Sequence, residues 1–160
     1  MPPSRKPADA AAESSAARAW YRGGLRFSCT QCGKCCSGAP GYVWVTKDEI
    51  DRIAAFLGRP GKGLTKKHLR QVGIRYSLTE YASTGACCFL ERPDGQVGCA
   101  VYSVRPVQCR TWPFWDLNLS SSDAWISASL GCPGMNQGKY YDFRQIEKRL
   151  HARRLEDLQD

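Results

Sequence analysis

The stretch Cys29-Thr-Gln-Cys32-Gly-Lys-Cys35-Cys36 holds four thiols within eight residues. Five more cysteines follow along the 160-residue chain, at Cys87, Cys88, Cys99, Cys109 and Cys132. Thiolate is the protein ligand that soft and borderline metals prefer, and core packing alone gives little reason to place four thiols in one turn. The sequence therefore predicts a protein that binds a metal ion or an iron–sulfur cluster.

Length and composition indicate one small domain with a packed core. Hydrophobic residues make up 42% of the chain and charged residues 24%, which is ordinary for a globular fold. The sequence contains no apolar run of the roughly 18–20 residues that a membrane span needs, and its N-terminus lacks the apolar segment of a signal peptide. We therefore expect a cytoplasmic protein with no membrane partner, in a compartment where stable disulfides are rare.

The basic excess of the chain has two interpretations. The formal net charge is +8 with the thiols counted as neutral, but a divalent ion held by four thiolates is negative overall. Part of the excess can therefore offset the charge of a metal site, and on this interpretation a nucleic-acid partner is not expected. The other interpretation is a docking surface on the basic C-terminal helix, residues 148–154, for an acidic protein or RNA.

Composition divides the chain into three parts. Residues 1–24 are expected to be a flexible arm, residues 25–138 a cysteine-cluster domain that binds metal, and residues 139–160 a basic helix packed on that domain or trailing it. The predicted fold class is α+β. We expect a small single domain with short strands, irregular loops organised by cysteine ligation, and the C-terminal helix.

Local patterns predict most of the secondary structure. Thr46 and Glu49 form a capping box at the start of an amphipathic helix that ends near Gly58, and Asp142 can cap the C-terminal helix. A short helix is expected over residues 65–71 and a helical turn over 103–110. The predicted strands cover residues 42–45, 74–78, 87–90, 97–102 and 124–130.

The spacing of the first block indicates how it could hold a metal. Its first three cysteines lie three residues apart, so one loop can turn them all inward, as in zinc sites and iron–sulfur proteins. Gly33 and Gly38 suit the positive-φ turns of such a loop. Cys36 directly follows Cys35, and neighbouring side chains diverge on a helix or a strand. We therefore expect these two thiols to serve different centres, or different metals of one binuclear centre.

The residues leave both the metal and the role open. The C-x-x-C-x-x-C run and the Cys132-Pro133 pair are typical of ferredoxins and favour an iron–sulfur cluster, whereas C-x-x-C followed by glycine also suits zinc. Beyond the cysteines no catalytic constellation is evident, so enzymatic activity stays open. The alternatives to a metal-binding module are a redox or protein-modifying accessory enzyme and a zinc-stabilised basic adaptor for RNA or an acidic partner.

Three segments together resemble the YkgJ-type cysteine-cluster family, also described as the CxxCxxCC zinc- or iron-chelating domain. They are residues 27–36, Cys87-Cys-Phe-Leu90 and residues 98–113. The resemblance implies metal chelation inside the cell. In the family the first thiol of the second block is usually followed by Pro-Phe-Leu, so Cys88 stands where a proline is usual and is the odd thiol. The metal ligands are then expected to be Cys29, Cys32, Cys35, Cys36, Cys87, Cys99, Cys109 and Cys132.

Cations and aromatic side chains accompany the third segment. Arg105 and Arg110 flank Cys109, and we expect them to offset the charge of a cluster and to donate hydrogen bonds to sulfur or to loop carbonyls. Residues 112–115 (Trp-Pro-Phe-Trp) are expected to belong to the core and to form a dry wall around the site.

Overall fold

The computed structural model describes residues 19–38 and 41–157, so residues 1–18 of the expected arm lie outside it. The α-helices are α1 (Lys47–Phe56), α2 (Val107–Thr111), α3 (Asp116–Leu119), α4 (Ser122–Gly131) and α5 (Phe143–Asp157). The strands are β1 (Leu25–Phe27), β2 (Val43–Val45), β3 (Leu69–Val72), β4 (Arg75–Leu78), β5 (Leu90–Glu91), β6 (Gly98–Cys99) and β7 (Met135–Tyr141). This mixture of helices and short strands in one small domain confirms the α+β class.

The strands form three small antiparallel sheets. β4 lies between β2 and β3, β5 pairs with β6, and β1 pairs with β7. The β1–β7 pair joins the chain just before the first cysteine to the chain just after the last one. β7 is irregular: Asn136 and Gly138 adopt positive φ values of 63° and 72°, and most of its residues are exposed. An alternating apolar pattern is therefore missing from its sequence.

The two helices for which the sequence predicts a cap, α1 and α5, lie where they are predicted. At the start of α1 the Thr46 Oγ1 accepts the Glu49 N–H at 3.3 Å, and the Glu49 Oε2 accepts the Thr46 N–H at 3.0 Å. At the start of α5 the Asp142 Oδ1 accepts the Gln145 N–H at 2.8 Å. Among the described residues, no helix is long and apolar enough to cross a membrane.

Two predicted elements are wrong, and the strands predicted over residues 87–90 and 97–102 are reduced to the two-residue strands β5 and β6. Residues 124–130 are part of helix α4 and not a strand, because the Ser121 Oγ accepts the Ala124 N–H at 3.1 Å and caps a helix there. The helix expected over 65–71 is a turn followed by β3, since Leu69–Val72 pairs along its whole length with Arg75–Leu78. The apolar run over 124–130 is compatible with helix and strand alike, whereas residues 65–71 are mostly polar and their strand depends on the pairing with β4.

Two hydrophobic clusters fill the interior. The first, here the terminal core, joins β1, β7, α4 and α5 and consists of Phe27, Phe114, Leu119, Trp125, Met135, Ile146 and Leu150. The second, here the central core, joins α1 to the β2–β4–β3 sheet and consists of Val45, Ile50, Ile53, Leu78, Cys88, Phe89 and Val101. The expected C-terminal helix thus contributes Ile146 and Leu150 to the terminal core.

Candidate metal centre

One cavity of about 240 Å³ is bounded by both cores. Its wall includes Phe27 of the terminal core and Phe89 and Val101 of the central core. Cys88 does not line it: the side chain is buried in the central core, with its Sγ 3.8 Å from the His68 carbonyl oxygen. The cysteines that line the cavity are Cys29, Cys32, Cys35, Cys36, Cys87, Cys99, Cys109 and Cys132.

Backbone contacts hold the first cysteine block at both ends. The Ser28 N–H donates to the Gly134 carbonyl at 3.0 Å, and the Ser28 Oγ accepts the Lys139 N–H at 2.9 Å, which fixes the loop to β7. At the other end the Cys87 N–H donates to the Cys36 carbonyl at 2.7 Å. These bonds bring thiols that are distant in sequence to one cavity.

Gly33 lets the loop turn tightly over the cavity wall. Its φ is 71° and that of Gly38 is 121°, so the predicted positive-φ turns are confirmed. A Cβ added at Gly33 would overlap the Val97 Cγ1 and lie 3.0 Å from the Leu90 Cδ1. The loop therefore needs glycine at this position for its backbone angle and for space.

Cys35 and Cys36 do not diverge as the sequence suggests. Both lie in the short 3-10 helix Lys34–Cys36, and their Sγ atoms are 3.9 Å apart. Two thiolates about 2.3 Å from one tetrahedral zinc ion would be about 3.8 Å apart. Adjacent positions in the sequence therefore do not require these two thiols to serve separate centres.

Glu49 positions the helix that carries Cys109. Its side chain is 1% exposed, and its Oε1 accepts the Val107 N–H at 2.6 Å while its Oε2 caps α1. The sequence predicts the capping role only, because Val107 is 58 residues further along the chain. One buried carboxylate thus joins the first turns of α1 and α2.

Gln108 holds the same helix against β2. Its Oε1 accepts the Trp44 N–H at 3.0 Å and its Nε2 donates to the Tyr42 carbonyl at 2.8 Å. Its side chain is buried and forms part of the cavity wall next to Cys109. No sequence pattern indicates this role, because Trp44 in β2 and Tyr42 just before β2 are both remote from Gln108 along the chain.

Replacing Glu49 with alanine should destabilise the fold by about 2–3 kcal/mol, because the Val107 N–H loses its buried acceptor and the Thr46 N–H loses its cap. Asp48→Ala is the matched control, since Asp48 is in the same helical turn but exposed. It should cost no more than about 1 kcal/mol, through the helix dipole. Urea unfolding measures both, and equal losses would contradict the positioning role of Glu49.

The charged side chains of the cavity wall are both cationic, namely Lys34 and Arg105. The Arg105 guanidinium lies 3.6 Å from the centroid of the Tyr102 ring, and its Nε donates to the Tyr102 carbonyl at 2.8 Å. Arg110 is exposed, and its Nε donates to the Arg105 carbonyl at 2.9 Å. Arg105 thus faces the thiols, whereas Arg110 supports the loop backbone.

Burial makes the Cys99 and Cys109 thiols reluctant to ionise without a cation, whereas a hydrogen bond with the Cys36 side chain lowers the pKa of Cys35 to about 7. Burial raises the pKa of Cys109 to about 12, a shift to which negative charge at Cys35 and Cys99 adds and which Arg105 opposes. Burial likewise raises the pKa of Cys99. A metal ion that binds thiolate here must displace protons, so binding couples to proton release.

Among the described residues, an indole N–H and a backbone N–H donate to sulfur at the edge of the cavity. The Trp112 Nε1–H lies 3.4 Å from the Cys132 Sγ, and the Gln31 N–H lies 3.4 Å from the Cys29 Sγ. Trp112 packs edge-on against Trp115 at 4.9 Å, and both indoles line the cavity, whereas Phe114 is buried in the terminal core. The aromatic segment therefore contributes both to the wall and to the core.

The donor set suits zinc or iron. In the described part of the chain no carboxylate or imidazole lines the cavity, so the hard oxygen ligands that Mg²⁺ and Ca²⁺ require are missing there. Thiolate sulfur favours zinc, copper(I) and iron–sulfur clusters. The sulfurs surround the cavity and do not converge on one point: within the described residues, no three Cys, His, Asp or Glu side chains are placed to hold a single ion.

Comparison with known families agrees with this donor set. The family model described as "CxxCxxCC: Putative zinc- or iron-chelating domain" matches residues 28–145, which include every cysteine of the chain. The chain belongs to this family. The family description supports metal binding and assigns no physiological role. No solved structure matches the chain.

Proposed function

We propose that this protein is a cytoplasmic iron–sulfur protein that holds its cluster or clusters on eight thiolates. The observation that carries the proposal is the lining of one cavity by eight of the nine cysteines, with Cys88 left in the central core. The proposed ligands are Cys29, Cys32, Cys35, Cys36, Cys87, Cys99, Cys109 and Cys132.

A cluster suits this cavity better than a single ion. The sulfurs are spread around a space of about 240 Å³, which several metal and sulfide atoms would fill and one ion would not. A bound cluster would supply a site that accepts and releases electrons. Lys34 and Arg105 would offset its negative charge, and the Trp112 indole N–H would stabilise the Cys132 thiolate.

Zinc is the alternative. The 3.9 Å between the Sγ atoms of Cys35 and Cys36 fits two thiolates on one zinc ion. Thiolate ligands persist in a reducing compartment, where disulfides are rare, with either metal.

Metal analysis of protein purified without oxygen separates the two. An iron–sulfur protein should be brown, with a broad visible absorption band and with iron and acid-labile sulfide in equal amounts. Colourless protein that contains stoichiometric zinc and no sulfide would overturn the cluster and leave the thiolate site intact.

The ligand assignment has its own test in a pair of matched substitutions. Cys109→Ala should remove more than half of the bound metal, because Cys109 lines the cavity, whereas Cys88→Ala should leave the metal content unchanged. Elemental analysis of the folded variants measures both. Equal metal loss from the two variants would show that the cavity does not define the ligand set.

A further inference from the structure

Almost all of the net positive charge lies in one segment. Residues 52–79 contain seven lysines and arginines and no aspartate or glutamate. Since the whole chain carries +8, the other residues together carry only +1. So uneven a distribution is typical of a surface that attracts a polyanion.

This charge does not serve the metal site. The cations of the cavity wall, Lys34 and Arg105, lie outside the segment, and Leu78 is the one residue of the segment that lines the cavity. Lys34 and Arg105 can therefore offset the charge of the thiolates, as the sequence suggests. The seven lysines and arginines of residues 52–79 need another explanation.

The centre of the segment is the loop between α1 and β3, here the basic loop, residues 59–67. Lys62, Lys66 and Lys67 are exposed and Arg59 is half-buried. Within the described part of the chain none of these four is ion-paired with a carboxylate, whereas Arg70 lies 3.7 Å from a Glu80 carboxylate oxygen. Like charges left without counterions repel one another and contribute nothing favourable to the fold.

His68 directly follows the basic loop and experiences its charge: burial lowers the pKa of this imidazole, and the charges of Lys67 and Arg59 lower it further.

Aromatic rings and arginines continue the surface directly after the loop. The Arg70 guanidinium lies 4.7 Å from the ring centroid of Tyr42, Tyr42 stacks on Trp44 at 4.7 Å, and the Arg75 guanidinium lies 4.4 Å from the Trp44 ring. Tyr42 is nevertheless 49% exposed. The stack covers the ring faces of Tyr42 and Trp44 and leaves the edge of Tyr42 accessible. Cations interleaved with aromatic rings recur on surfaces that bind single-stranded nucleic acid.

We propose that the basic loop and the adjoining stack of Arg70, Tyr42, Trp44 and Arg75 bind single-stranded nucleic acid. The loop cations would contact phosphates, and the stack would contact bases. Protein–protein interfaces are depleted in lysine, whereas three of the four loop cations are lysines, which favours phosphate over an acidic protein. No residue of the basic loop or of the stack lines the thiol cavity. Gln108 of the cavity wall nevertheless holds the backbone of Tyr42 and Trp44, so the test uses the metal-loaded protein.

Fluorescence anisotropy of the purified, metal-loaded protein with a labelled oligouridine of about 16 nucleotides tests the proposal. Four phosphate contacts predict that log K falls with log salt concentration with a slope of about −2.8. The triple variant Lys62→Gln, Lys66→Gln, Lys67→Gln should weaken binding at least tenfold and make the slope shallower by about 2. Its thermal unfolding should be unchanged, because the three side chains are exposed.

A second triple variant with the same loss of charge is the control. Lys139→Gln, Arg144→Gln and Lys148→Gln remove three exposed cations outside residues 52–79, and the affinity should change less than twofold. Absence of RNA binding by the unaltered protein, or equal weakening by both triple variants, would overturn the proposal. Competition by polyglutamate as strong as by unlabelled RNA would also overturn it and indicate an acidic protein partner.

Discussion

Removing the metal should lower the free energy of unfolding by on the order of 10 kcal/mol and should unfold much of the chain around the cavity. The proposed ligands come from loops, the 3-10 helix Lys34–Cys36, the two-residue strand β6 and, for Cys109, the five-residue helix α2. Such short elements contribute little stability alone. The thiols surround a cavity between the two cores, so the metal would link the two.

Chelation under reducing conditions, followed by circular dichroism and hydrogen exchange, measures this effect. We expect rapid exchange at residues 87–109 in the metal-free protein, and recovery of protection when metal is restored. Protection in α5 should fall less, because Ile146 and Leu150 are buried in the terminal core. The Cys109→Ala variant is the internal control, since its stability should respond little to the chelator. Metal-free protein as stable as the loaded form would contradict a structural role for the metal.

Features whose partners are close in sequence could be predicted from the sequence. The capping box of Thr46 and Glu49 lies within one helical turn, and the cap of α5 by Asp142 lies within another. The strand predicted over residues 124–130 is wrong because an apolar run of that length does not distinguish a strand from a helix. The Ser121 cap, directly before the run, was the local signal that could have decided it.

The arrangement of the site depends on contacts that no local pattern indicates. Ser28 meets Lys139 across 111 residues, and Glu49 meets Val107 across 58. That Cys88 is not a metal ligand could be predicted only from the family resemblance, because the family usually has proline at this position. Spacing alone suggested that Cys35 and Cys36 diverge, and the side-chain rotamers instead place their sulfurs 3.9 Å apart.

Gly33→Ala should destabilise the protein by about 2–5 kcal/mol and lower its affinity for metal, because the substitution strains the cysteine loop in two ways. An alanine at a φ of 71° costs about 1–2 kcal/mol in any setting. The new Cβ would also overlap the Val97 Cγ1 and crowd the Leu90 Cδ1, and overpacking costs about 1–3 kcal/mol more. Relief of this crowding would move the loop between Cys32 and Cys35.

Gly58→Ala separates the two costs. Gly58 has the same φ of 71°, and nothing lies within 4 Å of a Cβ added there, so its substitution should cost only the backbone term. Urea unfolding of both variants gives the steric cost by difference. Adding Val97→Ala to Gly33→Ala should then recover part of that difference, since the clashing methyl is gone. If Gly33→Ala and Gly58→Ala are equally stable and bind equal metal, the close packing of the cysteine loop against Val97 is not what holds the thiols at the cavity.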